Sequence, residues 1–170
     1  MEREQLLSEI ISTQSLPDYE AFDAMWAALT KVVHVMQGEG ERERERERDL
    51  DRQRIESLFK KLSEEEIKRL LKDGSVDSLI FLDPPLETIL ADPDEKAVED
   101  STMRIIAEVR SSRDSAPREA LANLGEILRR LRDKLAHGFN TESSPGNNEV
   151  LLLARKILYL ICILTVSKLD

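Results

Sequence analysis

The chain has 170 residues, of which 41% are hydrophobic, 35% charged and 4% aromatic. This length suits one domain with a single core, and the scarcity of aromatic residues, glycine and proline favours long amphipathic helices over the close-spaced strands of a β-sandwich. The formal net charge of −9 excludes a protein that coats nucleic acid through bulk positive charge. We therefore expect an all-α protein.

Two amphipathic helices are predicted at the start of the chain. Apolar residues recur at helical spacing over 4–13 and again over 18–37. Pro17 separates the two helices, and Gly38 ends the second. We interpret His34 in the second helix as a satisfied, partly buried side chain, because no second type of metal ligand stands at helical spacing from it.

Charged residues dominate the next part of the sequence. Four Glu-Arg repeats fill 41–48, and we interpret 41–54 as a solvated, charge-stabilised extension of a helix that becomes amphipathic at Ile55, rather than as a partner-binding segment. A capping-box pattern over 63–66 predicts the start of a short helix. The stretch 75–91 fits a short strand or a buried loop that leads into another turn of helix, and both alternatives stay open.

Two further helices are predicted before the last one. The segment 92–94 has the sequence Asp-Pro-Asp, which starts a helix that runs to about Ser112. Pro117 begins the next helix, which carries a leucine stripe and ends at Gly138. The first of these helices is expected to bury Val98, Met103, Ile105, Ile106 and Val109.

The final helix, predicted over 149–167, is apolar on nearly all sides. Arg155 and Lys156 interrupt it and leave fewer apolar residues in a row than the roughly 20 that a membrane-spanning helix needs, so we expect a core helix and no membrane contact. Cys162 lies within it and is explained by packing, since no second cysteine exists. The absence of a cysteine framework and of a secretory start favours the cytoplasm.

These elements predict one domain over 1–170, an up-and-down helical bundle. Within it, 38–91 forms a charged helical insertion, and 92–169 carries the core helices and the chemical site. The segment from Arg104 to Lys134 has eight basic and five acidic residues, which gives it a charge of about +3 inside an acidic protein.

The segment 132–137, Arg-Asp-Lys-Leu-Ala-His, is the one chemically distinctive pattern. Asp133 and His137 are four residues apart and therefore neighbours on a helix, so the carboxylate suits the task of orienting the imidazole for proton transfer. Arg132 suits a phosphate or the extra negative charge of a phosphorane-like transition state. Arg132 and His137, however, lie about 140° apart on one helix and do not share a face.

This pattern resembles the motif of the HEPN superfamily, in which an Arg, a polar residue and then a His stand near the end of a helix in a small bundle. Arg132 and His137 match the two principal motif residues, and Asp133 matches the polar position after the Arg. The resemblance implies a metal-independent endoribonuclease that cuts single-stranded RNA by activating the ribose 2′-hydroxyl. It also implies a homodimer with a composite site, in which Arg132 of one subunit works beside His137 of the other.

The resemblance also bears on substrate and partners. Lys134, Asn140 and Arg129 are the expected RNA-binding residues, with simple exposure of polar side chains as the alternative for the first two. No metal and no cofactor is expected, since the sequence has no cysteine pairs, Gly-rich phosphate loop or HExxH. An antitoxin or another regulatory protein is an expected partner, as in toxin-antitoxin and antiviral defence systems.

One position departs from the family pattern. In the branch paired with a nucleotidyltransferase antitoxin, a Tyr that is the site of modification stands two residues after the His, and here that position is Phe139. Regulation by that route is not expected. The alternative to an enzyme is a catalytically inactive HEPN-like binding or adaptor subunit, in which His137 is only a helix-end histidine favoured by the helix dipole.

Overall fold

The structure is a computed structural model that describes residues 2–38, 50–82, 96–136 and 145–169. These residues form α-helices joined by turns and contain no strand, so the prediction of an all-α helical bundle is confirmed. The helices are α1 (Glu2–Ser12), α2 (Asp18–Met36), α3 (Arg52–Phe59), α4 (Glu64–Leu71), α5 (Gly74–Ile80), α6 (Lys96–Ser112), α7 (Pro117–Ala136) and α8 (Pro145–Val166), and a 3₁₀ turn (Thr13–Ser15) follows α1.

The helices pack as two groups joined by three short helices. In the first group, α8 packs mainly against α2 and also contacts α1. In the second group, α7 packs mainly against α6. The short helices connect the groups, because α3 contacts α2 and α7, α4 contacts α7 and α8, and α5 contacts α6 and α8. One continuous apolar core therefore extends through both groups.

The described part of the predicted insertion contributes to this core. Its buried apolar residues include Leu58, Phe59, Ile67 and Leu79. Helical spacing accounts for their burial: the apolar side chains of α3 and α4 recur every three or four residues and turn toward α7. The motif-bearing helix α7 thus rests on helices from the middle of the chain.

The predicted helical extension over 41–54 is wrong at its C-terminal end. Residues 50 and 51 are not helical, and α3 begins at Arg52. The Asp51 carboxylate caps this start by accepting a hydrogen bond from the Arg54 backbone N–H at 2.9 Å, while Leu50 is buried in the core. Leu50, which is buried, and Asp51, which is the N-cap, therefore directly precede the start of α3. The Glu-Arg repeats at 41–48 lie outside the described residues.

The capping box at the start of α4 is confirmed. The Ser63 hydroxyl accepts from the Glu66 N–H at 3.1 Å, and the Glu66 carboxylate accepts from the Ser63 N–H at 3.0 Å. The same carboxylate lies 2.7 Å from the Lys168 ammonium near the end of the chain. The hydrogen bonds from Lys168 and Ser63 lower the pKa of Glu66 to about 2.

Residues 75–80 of the undecided stretch 75–91 are helical, whereas Phe81 and Leu82 are not. Asp73 caps α5 by accepting from the Ser75 N–H at 2.9 Å, and Val76, Leu79 and Ile80 are buried. A short strand is therefore wrong for residues 75–80. Residues 83–91 lie outside the described residues.

Two predictions for the second half of the chain are corrected. Met103 is 46% exposed rather than buried, because it lies beside Ile106 at the edge of the stripe that packs against α7, on the side away from Ile105 and Val109. The last helix begins at Pro145 rather than at Glu149, since proline is tolerated in the first turn of a helix. Ile105, Ile106 and Val109 are buried as predicted, and the side chain of Val98 and residues 92–94 lie outside the described part.

The C-terminal helix α8 is a core helix. Cys162 is fully buried, its Sγ lies 3.6 Å from the Met25 carbonyl oxygen, and burial raises the pKa of the thiol. His34 of α2 is only 1% exposed and is thus buried more deeply than predicted. Within the described ranges, no helix has the length and apolar character needed to cross a membrane.

Arg155 ties α8 to the turn that joins α1 and α2. Its guanidinium donates to the Leu16 carbonyl oxygen and to the Asp18 carboxylate, both at 2.8 Å. The Arg155 guanidinium therefore binds a backbone carbonyl oxygen after the 3₁₀ turn and a carboxylate in the first turn of α2. One side chain on α8 thereby fixes the relative position of three elements.

Gly125 allows α7 to approach α3 closely. A Cβ added at this position would lie 2.7 Å from Cγ2 of Ile55 and 3.2 Å from Cε2 of Phe59. The Ile55 methyl group is attached directly to Cβ and cannot swing away, so a larger residue at position 125 would push the two helices apart.

We expect Gly125→Ala to lower the free energy of unfolding by about 1–2 kcal/mol, since the overpacking cost exceeds the gain of about 1 kcal/mol in helix propensity. Urea denaturation at neutral pH would measure this difference. Gly74→Ala is the matched control, because an added Cβ there meets nothing within 4 Å. A Gly125→Ala protein as stable as the parent would contradict the close approach.

Candidate functional site

The C-terminal part of α7 emerges from the core to the surface. Residues 120–128 are buried without interruption, whereas 129 and 130 are partly exposed. Leu131 still faces the core at 1% exposure, and Arg132, Asp133 and Lys134 are again partly exposed. The leucine stripe thus anchors the helix and leaves the first three motif residues at its accessible end.

Glu126, one turn before this accessible end, is a buried carboxylate with two arginine partners. It is 5% exposed, and Arg129 binds it through two hydrogen bonds of 2.7 and 2.9 Å. Arg130 donates a third hydrogen bond from Nε at 3.2 Å, and its Nη1 donates to the Thr102 hydroxyl of α6 at 2.8 Å. Spacings of three and four residues bring these side chains together on one helix, and Thr102 attaches the group to α6.

The arginine partners determine the charge state of Glu126. Burial alone would raise the pKa of this carboxyl, but the hydrogen bonds and positive charges of Arg129 and Arg130 outweigh it and hold the pKa below its ordinary value. Glu126 is therefore ionised at neutral pH and acts as a fixed negative anchor for both guanidinium groups.

Arg129 extends this anchor toward the motif. Its Nη1 lies 3.0 Å from Oδ2 of Asp133, while its other nitrogens hold Glu126. The three side chains form a carboxylate–guanidinium–carboxylate row along one face of α7. Asp133 at the end of the row is 46% exposed, so the row leads from the core to the surface.

A second polar contact lies one turn earlier on α7. Asn123 is 1% exposed, its Oδ1 accepts from Arg52 of α3 at 2.9 Å, and its Nδ2 donates to Glu108 of α6 at 3.2 Å. This amide therefore joins three helices and satisfies its polar atoms inside the core.

Sequence reasoning missed Asn123, Glu126 and Thr102 as members of the site. For the two residues on α7, the available signal was a row of polar residues at 123, 126 and 130, which recur at helical spacing beside the leucine stripe. In the sequence this pattern fits a solvated face equally well, and the burial of the flanking positions in the structure identifies it as a polar contact between helices.

The structure brings some of the predicted site residues together. Asp133 and Arg129 form an ion pair, and Arg132 and Lys134 lie on the same turn. Arg129, predicted to bind substrate, holds two carboxylates of its own helix. His137 and Asn140 lie outside the described residues.

Comparison with protein-family models, with curated proteins and with solved structures returned no match to this chain.

We expect Glu126→Gln to lower the free energy of unfolding at pH 7 by about 1–2 kcal/mol. The buried ion pairs are lost, and partial exposure of both arginines lets water compensate for some of that loss. Because the pKa of Glu126 is lowered in the folded protein, its stabilisation is present above the ordinary glutamate range and is lost as the pH falls through the folded pKa. The stability gap between variant and parent should therefore shrink below about pH 4.5.

Urea denaturation of both proteins over a pH series would measure this gap. Glu119→Gln, at an exposed position of the same helix, is the matched control and should leave stability within about 0.5 kcal/mol of the parent. A gap that widens toward acid pH would contradict an ionised, arginine-paired Glu126.

Proposed function

We propose that this chain is a metal-independent endoribonuclease of the HEPN type that cuts single-stranded RNA. The observation that supports the proposal is the position of Arg132 and Asp133. Arg132 and Asp133 lie on the last described turn of α7, where the helix leaves the core and its side chains become accessible. A catalytic pair needs this combination of a rigid support and an accessible end.

Each motif residue has a distinct chemical role in the proposed reaction. His137 takes the proton of the ribose 2′-hydroxyl, the 2′ oxygen bonds to phosphorus, and the bond from phosphorus to the 5′ oxygen breaks. The leaving 5′ oxygen takes up a proton from water. Arg132 stabilises the additional negative charge of the phosphorane-like transition state. No step requires a metal ion.

The charged row on α7 supports a positioning role for Asp133. Its carboxylate is held by Arg129, which is in turn held by the buried Glu126. A carboxylate four residues before His137 is the neighbour that orients the imidazole and selects its tautomer. Asp133 therefore acts through His137 rather than on the RNA.

The proposed site is composite and needs a second copy of the chain. The spacing of Arg132 and His137 in the sequence predicts positions about 140° apart on one helix, so one copy supplies the arginine and the other the imidazole. Lys134 and Asn140 contact the RNA beside them. A cytoplasmic toxin or defence nuclease fits this chemistry, and an antitoxin or another regulatory protein would restrain it.

One observation favours a second candidate, a catalytically inactive binding or adaptor subunit. The Asp133 carboxylate already accepts from Arg129, as expected if these charges serve only to stabilise the end of α7. In that case Arg132 and His137 have no chemical task, and substituting them leaves the function of the protein intact.

We expect the protein to cut single-stranded RNA in the presence of EDTA and His137→Ala to slow cutting by about 10²–10⁴-fold, because the general base is lost. Single-turnover cleavage of a labelled oligonucleotide would measure the rate. A matching all-2′-deoxy strand should not be cut, since it lacks the attacking hydroxyl. Arg132→Lys retains the charge but not the fork and should fall between the parent and Arg132→Ala. Unchanged cutting by His137→Ala protein would refute the proposal.

The composite site predicts complementation between two inactive variants. When Arg132→Ala and His137→Ala proteins are mixed and allowed to exchange subunits, about half of the dimers are heterodimers, and each has one complete site of two. Cleavage should therefore return to about a quarter of the parent rate. Either variant mixed with itself is the control. No recovery in a mixture with demonstrated subunit exchange would place both residues of a site in one chain.

A further inference from the structure

Phe81, at the end of α5, is an exposed aromatic ring with two arginines beside it. It is 56% exposed, and the guanidinium carbons of Arg110 and Arg113 lie 5.1 and 5.7 Å from the ring centroid. Arg110 belongs to α6 and Arg113 to the turn directly after it, so both approach the ring from the C-terminal end of that helix. The exposed part of the ring is left for solvent or a ligand.

Contacts with the fold hold these side chains in place. Arg110 donates from Nε to the Ile80 carbonyl oxygen at 2.7 Å, and its Nη2 contacts the same oxygen. Arg113 donates to the Asp77 carboxylate at 3.0 Å. The two guanidinium groups are therefore held beside the ring, and these three side chains form a platform whose arginines lose little conformational entropy when a flat ligand stacks on the ring.

A groove of about 460 Å³ lies beside this platform. Arg113 belongs to both, since it lines the groove and also covers part of the ring. The charged residues that line the groove are three cations and two carboxylates: Lys68, Lys72, Arg113, Asp77 and Asp114. Arg110 at the platform adds a fourth cation and Glu64 beside Lys68 a third carboxylate, so the region has a charge of about +1 in a protein of net charge −9.

The lysines of the groove are accessible to an anion. Lys68 has Glu64 as its neighbour at 3.4 Å, but both side chains are well exposed, and such surface pairs contribute little free energy. A phosphate can therefore displace Glu64 at little cost. Asp77 is paired with Arg113 and does not repel an anion as a lone carboxylate would.

We propose that the platform and groove bind single-stranded nucleic acid outside the motif. A base stacks on Phe81, and neighbouring phosphates lie against Lys68 and Lys72. An exposed ring beside a basic groove is how proteins bind flexible strands with little sequence preference. The choice of RNA over DNA as the natural ligand rests on the proposed function, whereas the stacking and charge argument does not.

The site is separate from the motif. Arg113 lies just before the start of α7, and Arg132 lies near its end, so the rise of the helix puts them roughly 25 Å apart. One RNA strand could contact both places only across several nucleotides. The groove would then hold a strand while a distant part of it reaches the motif.

Fluorescence anisotropy with a labelled 12-nucleotide RNA tests the proposal, in a full-length His137→Ala background so that the probe is not cut. Phe81→Ala should weaken binding about tenfold through the lost stacking. Lys72→Gln should weaken it too and reduce the slope of log Kd against log salt by about 0.7, the value for one single-strand phosphate contact. Tyr19→Ala and Lys156→Gln are matched controls at exposed positions elsewhere and should bind like the parent.

A second variant tests the proposal even if Phe81→Ala protein fails to fold. Phe81→Trp retains stacking and adds an exposed fluorophore to a chain whose one native tryptophan, Trp26, is buried. We expect unchanged affinity and quenching of the new fluorescence by RNA. Absence of quenching at saturating RNA would overturn the platform.

The remaining outcomes are also decisive. RNA binding that Phe81→Ala and Lys72→Gln leave unchanged would overturn the proposal, as would displacement of the probe by free AMP at equal concentration, which would indicate a mononucleotide pocket. Equal binding of RNA and of the matching DNA supports the site and removes only the preference for RNA. Failure of cleavage by the parent protein with groove-dependent binding intact would refute the nuclease and leave the nucleic-acid site standing.

Discussion

A carboxylate removed from water must be compensated, and Glu126 is compensated by two guanidinium groups from its own helix. Its partners stand three and four residues further on, so these ion pairs extend toward the C-terminal end of α7. Arg129 also binds the Asp133 carboxylate, and Arg130 also binds the Thr102 hydroxyl of α6. The end of α7 is therefore held by charge as well as by the buried Leu131, and the proposed chemistry depends on this part of the helix.

The same helix serves both the core and the site. On one side, Gly125 lets α3 approach closely, and on another Asn123 joins α3 to α6. These contacts make α7 a rigid support, since its position is determined from several directions before its accessible end is reached. The proposed nucleic-acid groove lies near the opposite end of α7, so the two surfaces are linked by one inflexible element.

Helical periodicity predicted most of the helices, and the capping box at Ser63 predicted the start of α4, because these signals depend only on neighbours in sequence. The start of α3 was missed, since the burial of Leu50 depends on tertiary packing that no local pattern contains. Met103 was wrongly placed in the core for the same reason. At the candidate site, the motif was visible in the sequence, but the burial of Glu126 was not: a Glu before two Arg residues has the appearance of a solvated face until the neighbouring helices are in place.

Cys162 has a practical value that follows from its surroundings. It is the one cysteine of the chain, it is fully buried where α8 packs against α2, and burial raises the pKa of its thiol. A thiol reagent can react only after α8 separates locally from α2 and the Cys162 thiol loses its proton. The rate at which Cys162 is labelled in the absence of denaturant therefore reports how often α8 separates from α2. This measurement needs no added reporter group.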